Sequence, residues 1–145
     1  MRVINLNPGQ LSKMINQMKA SLRIKGDFDP DAIIAELALA PTFINTKGKR
    51  LPGGNIMENN VVGFHSPFAG EAPLEQHLEW LVDKFKDKHE ILRKIQGHNE
   101  VDVFCSATMI DQGGFSLSPK SLSLISDLQI RLEVSLIAFN DYDED

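Results

Sequence analysis

The sequence predicts an α+β domain, a two-layer sandwich in which a mostly antiparallel sheet has its helices packed on one face. Two observations lead to this fold class. Residues 20–25 and 100–108 alternate apolar and polar side chains, which is typical of strands with one buried and one solvated face. Amphipathic helical segments lie between such strands along the chain. Helices that follow strands of this kind are expected to cover their apolar face.

The stretch from residue 19 to residue 41 contains the clearest sequence of strand, corner and helix. After the strand, Asp29 has the position of a helix N-cap, and Pro30 that of the first helical residue, where an N–H would have no intrahelical partner. Pro41 prevents the helix from continuing. The helix is predicted to bury an apolar stripe of Ile33, Ile34 and Leu37.

The middle of the chain continues the alternation of strands and helices. Strands are predicted over residues 42–46 and 60–65. A helix is predicted to begin after Pro73 and to break near residues 87–89, where its apolar stripe fails. A second helix follows, and Gly97 is predicted to cap its C-terminal end.

The last third of the chain predicts two strands around one more helix. The short apolar stretch 115–117 predicts a strand, and the alternation over residues 129–139 predicts the final one. Ser118 is predicted to be the N-cap of the helix between them. That helix is predicted to turn Leu122 and Ile125 toward the core.

Two segments of the chain share a local pattern. Phe28-Asp29-Pro30 and Leu117-Ser118-Pro119 each combine an apolar residue, an N-cap and a proline, with apolar residues following at equal offsets. This pattern has two interpretations. It marks an internal β-α-β duplication, or it is the pattern that any strand–cap–helix segment shows.

We predict a single domain over residues 18–139, preceded by an extension at 1–17 and followed by an acidic, disordered tail at 140–145. The extension is either a packed accessory helix over residues 10–18 or a loose segment. The single cysteine excludes an internal disulfide and any multi-cysteine metal site. The N-terminus lacks the continuous apolar region of a signal peptide, so a cytoplasmic location is expected.

The charge of the chain is unevenly distributed. Residues 1–59 carry a net charge of +3, residues 60–140 a net charge of −4, and residues 141–145 a further −4. Without the tail, the domain is close to neutral. It therefore lacks the strong positive field with which proteins hold nucleic acid or an anionic membrane.

These elements resemble a bacterial family of unknown function, domain-of-unknown-function family 4279, over residues 19–139. The resemblance rests on cap, turn and core residues: Leu22 through Pro30, Ile33, Leu37, Ala40-Pro41-Thr42, Lys47-Gly48, the helix from Leu74 to Leu81, Gly113-Gly114-Phe115, and the segments 117–125 and 132–137. The family has no established activity, so the resemblance assigns no site residue. Some relatives lie beside polymorphic toxin systems, which implies an immunity-type binding protein.

Metal binding and histidine catalysis would have to use His65, His77, His89 and His98. None of these histidines forms a His-x-x-x-His pair or a His-Glu-x-x-His sequence. His77 is expected one position off the apolar stripe of Leu74 and Leu78, as a residue at the boundary of that stripe, and His65 at the end of a strand, lining a sheet edge. We therefore predict no metal site.

Two other groups are candidates for chemistry. Asp27 and Asp29 flank Phe28, and a pair of carboxylates can do acid–base work, but capping a helix and closing a turn explains them more simply. Cys105 lies on the apolar side of its strand, and the sequence places no base beside it. We predict no catalytic residue and no cofactor.

The sequence offers two candidates for the binding of an anion. The loop 47–55 is basic and rich in glycine, which favours a mobile hairpin connection, although binding of an anion to Lys47, Lys49 or Arg50 stays open. RNA binding through aromatic side chains is disfavoured. Phe104 and Phe139 are expected on the same side of the sheet as Asp102 and Glu133, and the RNA-recognition sequence pattern is absent.

The absence of a nucleophile constellation, a metal spacing and a cofactor loop favours a binding protein. We therefore expect a cytoplasmic domain without catalytic activity that binds another protein, as an immunity-like or accessory module. The alternative is a small-molecule-binding protein or an enzyme whose pocket is assembled from distant residues. Binding to a membrane is not expected, and the oligomeric state is open.

Overall fold

The computed structural model describes residues 2–5, 17–110 and 114–140. Six strands and four helices are found in these residues. The strands are β1 (Arg2–Asn5), β2 (Gln17–Gly26), β3 (Phe43–Asn45), β4 (Asn60–His65), β5 (Glu100–Ile110) and β6 (Arg131–Asn140). The helices are α1 (Pro30–Leu37), α2 (Leu74–Phe85), α3 (His89–Gln96) and α4 (Pro119–Leu128). The predicted α+β class is confirmed.

The strands form one sheet in the order β1-β6-β5-β2-β4-β3. The central strand β2 is antiparallel to both of its neighbours, β4 and β5, and β3 is antiparallel to β4. At the other side of the sheet, β6 is parallel to β5 and to β1. β5 and β6 are parallel because the connection through α4 returns the chain to the end of the sheet at which β5 begins.

One face of the sheet is apolar and lies under the helices. Its buried strand residues join the buried helix residues in a single core cluster. From the strands the cluster takes Met18, Ala20, Leu22, Ile24, Val62, Phe64, Val101, Val103, Cys105 and Ala107. We call the other side the open face, because no helix in the described ranges packs on it.

The two predicted N-caps are confirmed. The Asp29 carboxylate accepts a hydrogen bond from the backbone N–H of Asp31 at 3.1 Å. The Ser118 hydroxyl accepts one from the N–H of Ser121, also at 3.1 Å. In both helices a proline follows the cap. Both helices end in a left-handed residue, Ala38 in α1 and Gln129 in α4.

The two capped units nevertheless occupy different places in the sheet. Helix α4 connects β5 to its parallel neighbour β6. Helix α1 connects β2 to β3, and β4 lies between these two strands. An internal duplication is therefore not confirmed, and the shared pattern is explained by similar capping.

Two local predictions are wrong. Residues 115–117 do not form a strand. In α4 the buried residues are Ser121, Leu124 and Leu128, and Ile125 is partly buried, so Leu122 is not on the core side. In both cases the apolar signal was too short to fix a conformation. Gly97 is the C-cap of α3, as predicted, although its φ of −59° is a right-handed conformation that needs no glycine.

The N-terminal segment has a place in the sheet that the sequence did not predict. Residues 2–5 form β1, the edge strand that pairs with β6. Most of the predicted helix over residues 10–18 falls outside the described residues, and its last two positions, Gln17 and Met18, begin β2 instead. Of the predicted tail at 140–145, Asn140 is the last residue of β6, and residues 141–145 lie outside the described residues, as does the side chain of Phe139.

Candidate functional site

The centre of the open face holds a network of ion pairs around Asp102. The guanidinium of Arg23 donates to both carboxylate oxygens of Asp102, at 2.8 and 2.7 Å, and to Glu133 at 2.9 Å. The Lys25 ammonium lies 3.1 Å from Asp102. Because Arg23 is directly opposite Asp102 in the β2–β5 register, the fold itself brings them together. The side chain of Asp102 is fully buried.

The positive and negative charges of this network compensate one another. Burial would raise the pKa of Asp102, but the hydrogen bonds and charges of Arg23 and Lys25 outweigh burial and lower that pKa. The hydrogen bond to Asp102 in turn raises the pKa of Arg23. The Arg23 guanidinium also lies 4.4 Å from the ring centroid of Phe104, a cation–π distance. The Nε and Nη2 donors of Arg23 are thus occupied within the fold.

Beside this network, the structure brings together Ser21 and His65, a pair that the sequence did not suggest. The Ser21 hydroxyl is hydrogen-bonded to Nδ1 of His65. The ring of Phe43 stacks on the imidazole with centroids 4.7 Å apart, and it also covers Gly63, where a Cβ would lie 2.0 Å from that ring. Burial and the charge of Lys19 lower the pKa of His65.

The Ser21–His65 pair lacks what a nucleophilic serine needs. A serine–histidine dyad needs a third group that orients the imidazole and donors for the developing oxyanion. In the described residues His65 is held by the apolar ring of Phe43. His65 is the last residue of β4, as expected; it lies opposite Ser21 of β2, and β3 pairs with β4 only as far as Gly63. The pair fastens β2 to β4.

His77 is a core residue, and the prediction of a boundary position is wrong. Its side chain is fully buried in α2, on the stripe shared with Leu74 and Leu81. Its Nδ1 is hydrogen-bonded to the hydroxyl of Ser66, and the ring of Phe68 lies edge-on to it. Burial lowers the pKa of His77. The helical spacing of three and four residues from those leucines was a signal that could have placed it.

The other predicted candidates are kept apart. In the described residues, no group of three histidine, cysteine or carboxylate side chains is arranged to hold a metal ion. Asp29 caps α1, whereas Asp27 is exposed and lies 3.9 Å from the ammonium of Lys47. Cys105 is buried, and burial raises its pKa to about 12. A thiol with that pKa is almost entirely protonated at neutral pH, but its inertness stays a prediction.

The connection between β3 and β4, residues 46–59, is an ordered hairpin that we call the arm. Backbone hydrogen bonds join Gly48 to Met57, Met57 to Lys49, and Leu51 to Asn55. Arg50 and Ile56 form an isolated bridge across it. Gly53 and Gly54 both have φ above 90°, so the tip turns through conformations that favour glycine. The predicted hairpin connection is thus found here.

The surface of the arm combines apolar and basic groups. Ile56 is 57% exposed, and Ile44, in the adjoining strand, is 40% exposed. The arm's three basic residues are Lys47, Lys49 and Arg50, and its one acidic residue is Glu58. An open groove of about 780 Å³ runs along it, lined by residues that include Lys47, Ile56 and Glu58.

The cations of the arm differ from those of the open face in their partners. Lys49 donates to the side-chain oxygen of Asn45 at 3.0 Å. In the described part of the chain, neither Lys49 nor Arg50 forms an ion pair with a carboxylate. The sequence predicted the basic character of this loop. It did not predict the exposed Ile56, because an isolated apolar residue in a polar loop has no periodicity.

Comparison with known proteins agrees with these elements. The family model of a domain of unknown function (DUF4279) matches residues 16–139, and the chain belongs to this family. No curated protein and no solved structure matches it. Within the described residues, no helix has both the length and the apolar character that crossing a membrane requires.

Proposed function

We propose that this chain is a protein-binding module without catalytic activity, and that it binds its partner through the arm. The observation that supports this most strongly is the exposure of Ile56 on an ordered hairpin. A hairpin fixed by its own hydrogen bonds, with an isoleucine 57% exposed, is suited to insert that side chain into an apolar pocket of a partner. Functional contacts are commonly made by such loops on a rigid sheet.

The charges of the molecule favour the arm over the open face. On the open face, Arg23 is occupied by Asp102 and Glu133, so a partner would have to compete with existing ion pairs. On the arm, Lys49 and Arg50 can meet new partners without breaking a carboxylate pair in the described residues. An immunity-like or accessory role is consistent with such a binding surface and belongs to the same proposal.

The proposal is tested by affinity capture from a lysate of the native host with three forms of the protein. The first is the wild type, and the second carries Ile56→Asp with Arg50→Glu on the arm. The third carries Phe115→Asp with Lys86→Glu, which changes an exposed apolar residue and a cation outside the arm. We expect one stoichiometric partner with the wild type and the control, and its loss with the arm variant.

Two results would contradict the proposal. Equal capture by the arm variant would show that the arm is not the binding surface. Failure of the wild type to retain any stoichiometric partner would argue against a protein-binding function. Circular dichroism melting curves for all three forms check that a lost partner reflects the surface and not an unfolded protein.

A further inference from the structure

We infer that the arm binds a carboxylate-rich segment, and that one such segment is residues 141–145 of a second copy of this chain. The inference rests on the proposed function, because it takes the arm as the binding surface. It goes further by naming the chemistry of the occupant and by predicting head-to-tail self-association.

The charges of the two segments are complementary. The arm has a net charge of +2 in a chain whose net charge is −5. Residues 141–145 contain four carboxylates, at Asp141, Asp143, Glu144 and Asp145. Carboxylates are the natural partners of the Arg50 guanidinium and the lysine ammonium groups beside it.

Within one molecule the two segments are too far apart. The segment follows β6, and β5, β2 and β4 separate β6 from β3, which is about 19 Å across the sheet. It also leaves at the opposite end: Asn140 ends β6 near Ile110, whereas the arm leaves near Gly26 and Glu100, roughly 33 Å along the strands. Five extended residues span at most about 17 Å, so the segment cannot reach its own arm.

The segment of a second copy has no such restriction. Because the arm and residues 141–145 are different parts of the chain, their contact is heterologous. Every assembly therefore has an unoccupied arm at one end and an unoccupied segment 141–145 at the other. Association is expected to continue past a dimer as the protein concentration rises, and to weaken with salt because the contacts are exposed ion pairs.

The test is sedimentation velocity of the full chain at low and high ionic strength. The wild type is expected to associate increasingly with concentration in about 20 mM salt, and to associate at least about tenfold more weakly in about 500 mM salt, where exposed charges are screened. For this test the arm variant carries Lys49→Glu with Arg50→Glu, in place of the pair of substitutions used for affinity capture, and it is expected to stay monomeric. So is a segment variant with Asp141→Asn, Asp143→Asn, Glu144→Gln and Asp145→Asn.

A mixture of these two variants gives the sharpest result. The arm variant keeps its acidic segment, and the segment variant keeps its basic arm, so the mixture can make one contact and no more. We expect a heterodimer that does not grow further. The control Lys84→Glu with Lys86→Glu has the same net charge as the arm variant and is expected to associate like the wild type.

The inference is overturned if the wild type stays monomeric at low salt, or if the segment variant associates as strongly as the wild type. It is also overturned if the control loses association as the arm variant does, since net charge alone would then explain the effect. In each of these cases capture of another protein through the arm remains separately testable, so the proposed function can survive the failure of this inference.

Discussion

The centre of the open face and the arm are both charged, but their charges have different partners. Asp102 is fully buried and is held by Arg23 and Lys25 within the fold. Lys49 and Arg50 of the arm are exposed and form no ion pair in the described residues. Removing one partner from charges of the first kind destabilises the fold, since the other charge loses its counter-charge. Charges of the second kind contribute little to stability and are available for binding.

Of the substitutions that test this difference, Asp102→Ala is expected to have the largest effect on the free energy of unfolding. The substitution leaves Arg23 without its buried carboxylate, so we expect a loss of about 3 kcal/mol in the free energy of unfolding, at the low end for a broken buried pair. The low end applies because Arg23 keeps Glu133 and remains 20% exposed. Urea denaturation measures the loss, and the exposed Arg131→Ala is its control. A loss below about 1 kcal/mol, typical of an exposed pair, would contradict the assignment.

A smaller effect is expected from pH. Because the pKa of Asp102 is lowered in the folded protein from its ordinary value of 3.8, its ionised form stabilises the fold fully above that value. This stabilisation is lost as the pH falls through the lower folded-state pKa. The wild type is therefore expected to lose more stability than Asp102→Asn as the pH falls below 3.8. Parallel curves for the two proteins would show that Asp102 has no lowered pKa.

Much of the fold could be predicted because its signals are local. The alternation of Val101, Val103, Cys105 and Ala107 predicts a strand with one buried face, and that strand is found. The caps at Asp29 and Ser118 depend on a side chain and N–H groups two or three residues away. β1 was missed because four residues at an edge carry too little pattern.

The candidate site was less predictable because it depends on contacts that are distant in the sequence. The alternation placed Asp102 and Glu133 on one side of the sheet, but their pairing with Arg23 needs the register of β2, β5 and β6. The Ser21–His65 pair likewise needs the register of β2 and β4. Register is set when the whole core forms, so no single segment contains it.

The next prediction concerns Asp29, a carboxylate at the same end of the sheet as the arm. If it only caps α1, Asp29→Ala should cost about 0.5–2 kcal/mol of stability. Asp29→Asn should restore most of this, because it keeps an acceptor for the N–H of Asp31, whereas Asp29→Glu should not. Thermal or urea unfolding gives the order.

Ser118→Ala is the matched comparison for the Asp29 series. Its cost should be at least as large, because the Ser118 hydroxyl also lies 3.2 Å from the carboxylate of Glu79 in α2. If Asp29→Asn left stability unchanged and abolished binding of a captured partner, Asp29 would belong to the binding surface with the arm.

The smallest expected effect on stability is that of Lys49→Ala with Arg50→Ala. Neither cation has a carboxylate partner in the described residues, and exposed substitutions of this kind usually change stability by no more than about 0.5 kcal/mol. The Lys49 hydrogen bond to Asn45 is exposed and competes with water. Urea denaturation should therefore give the same midpoint and slope as the wild type, while binding through the arm is lost. A destabilisation as large as that of Asp102→Ala would mean that the arm's charges are also part of the fold, and the contrast between the two regions would disappear.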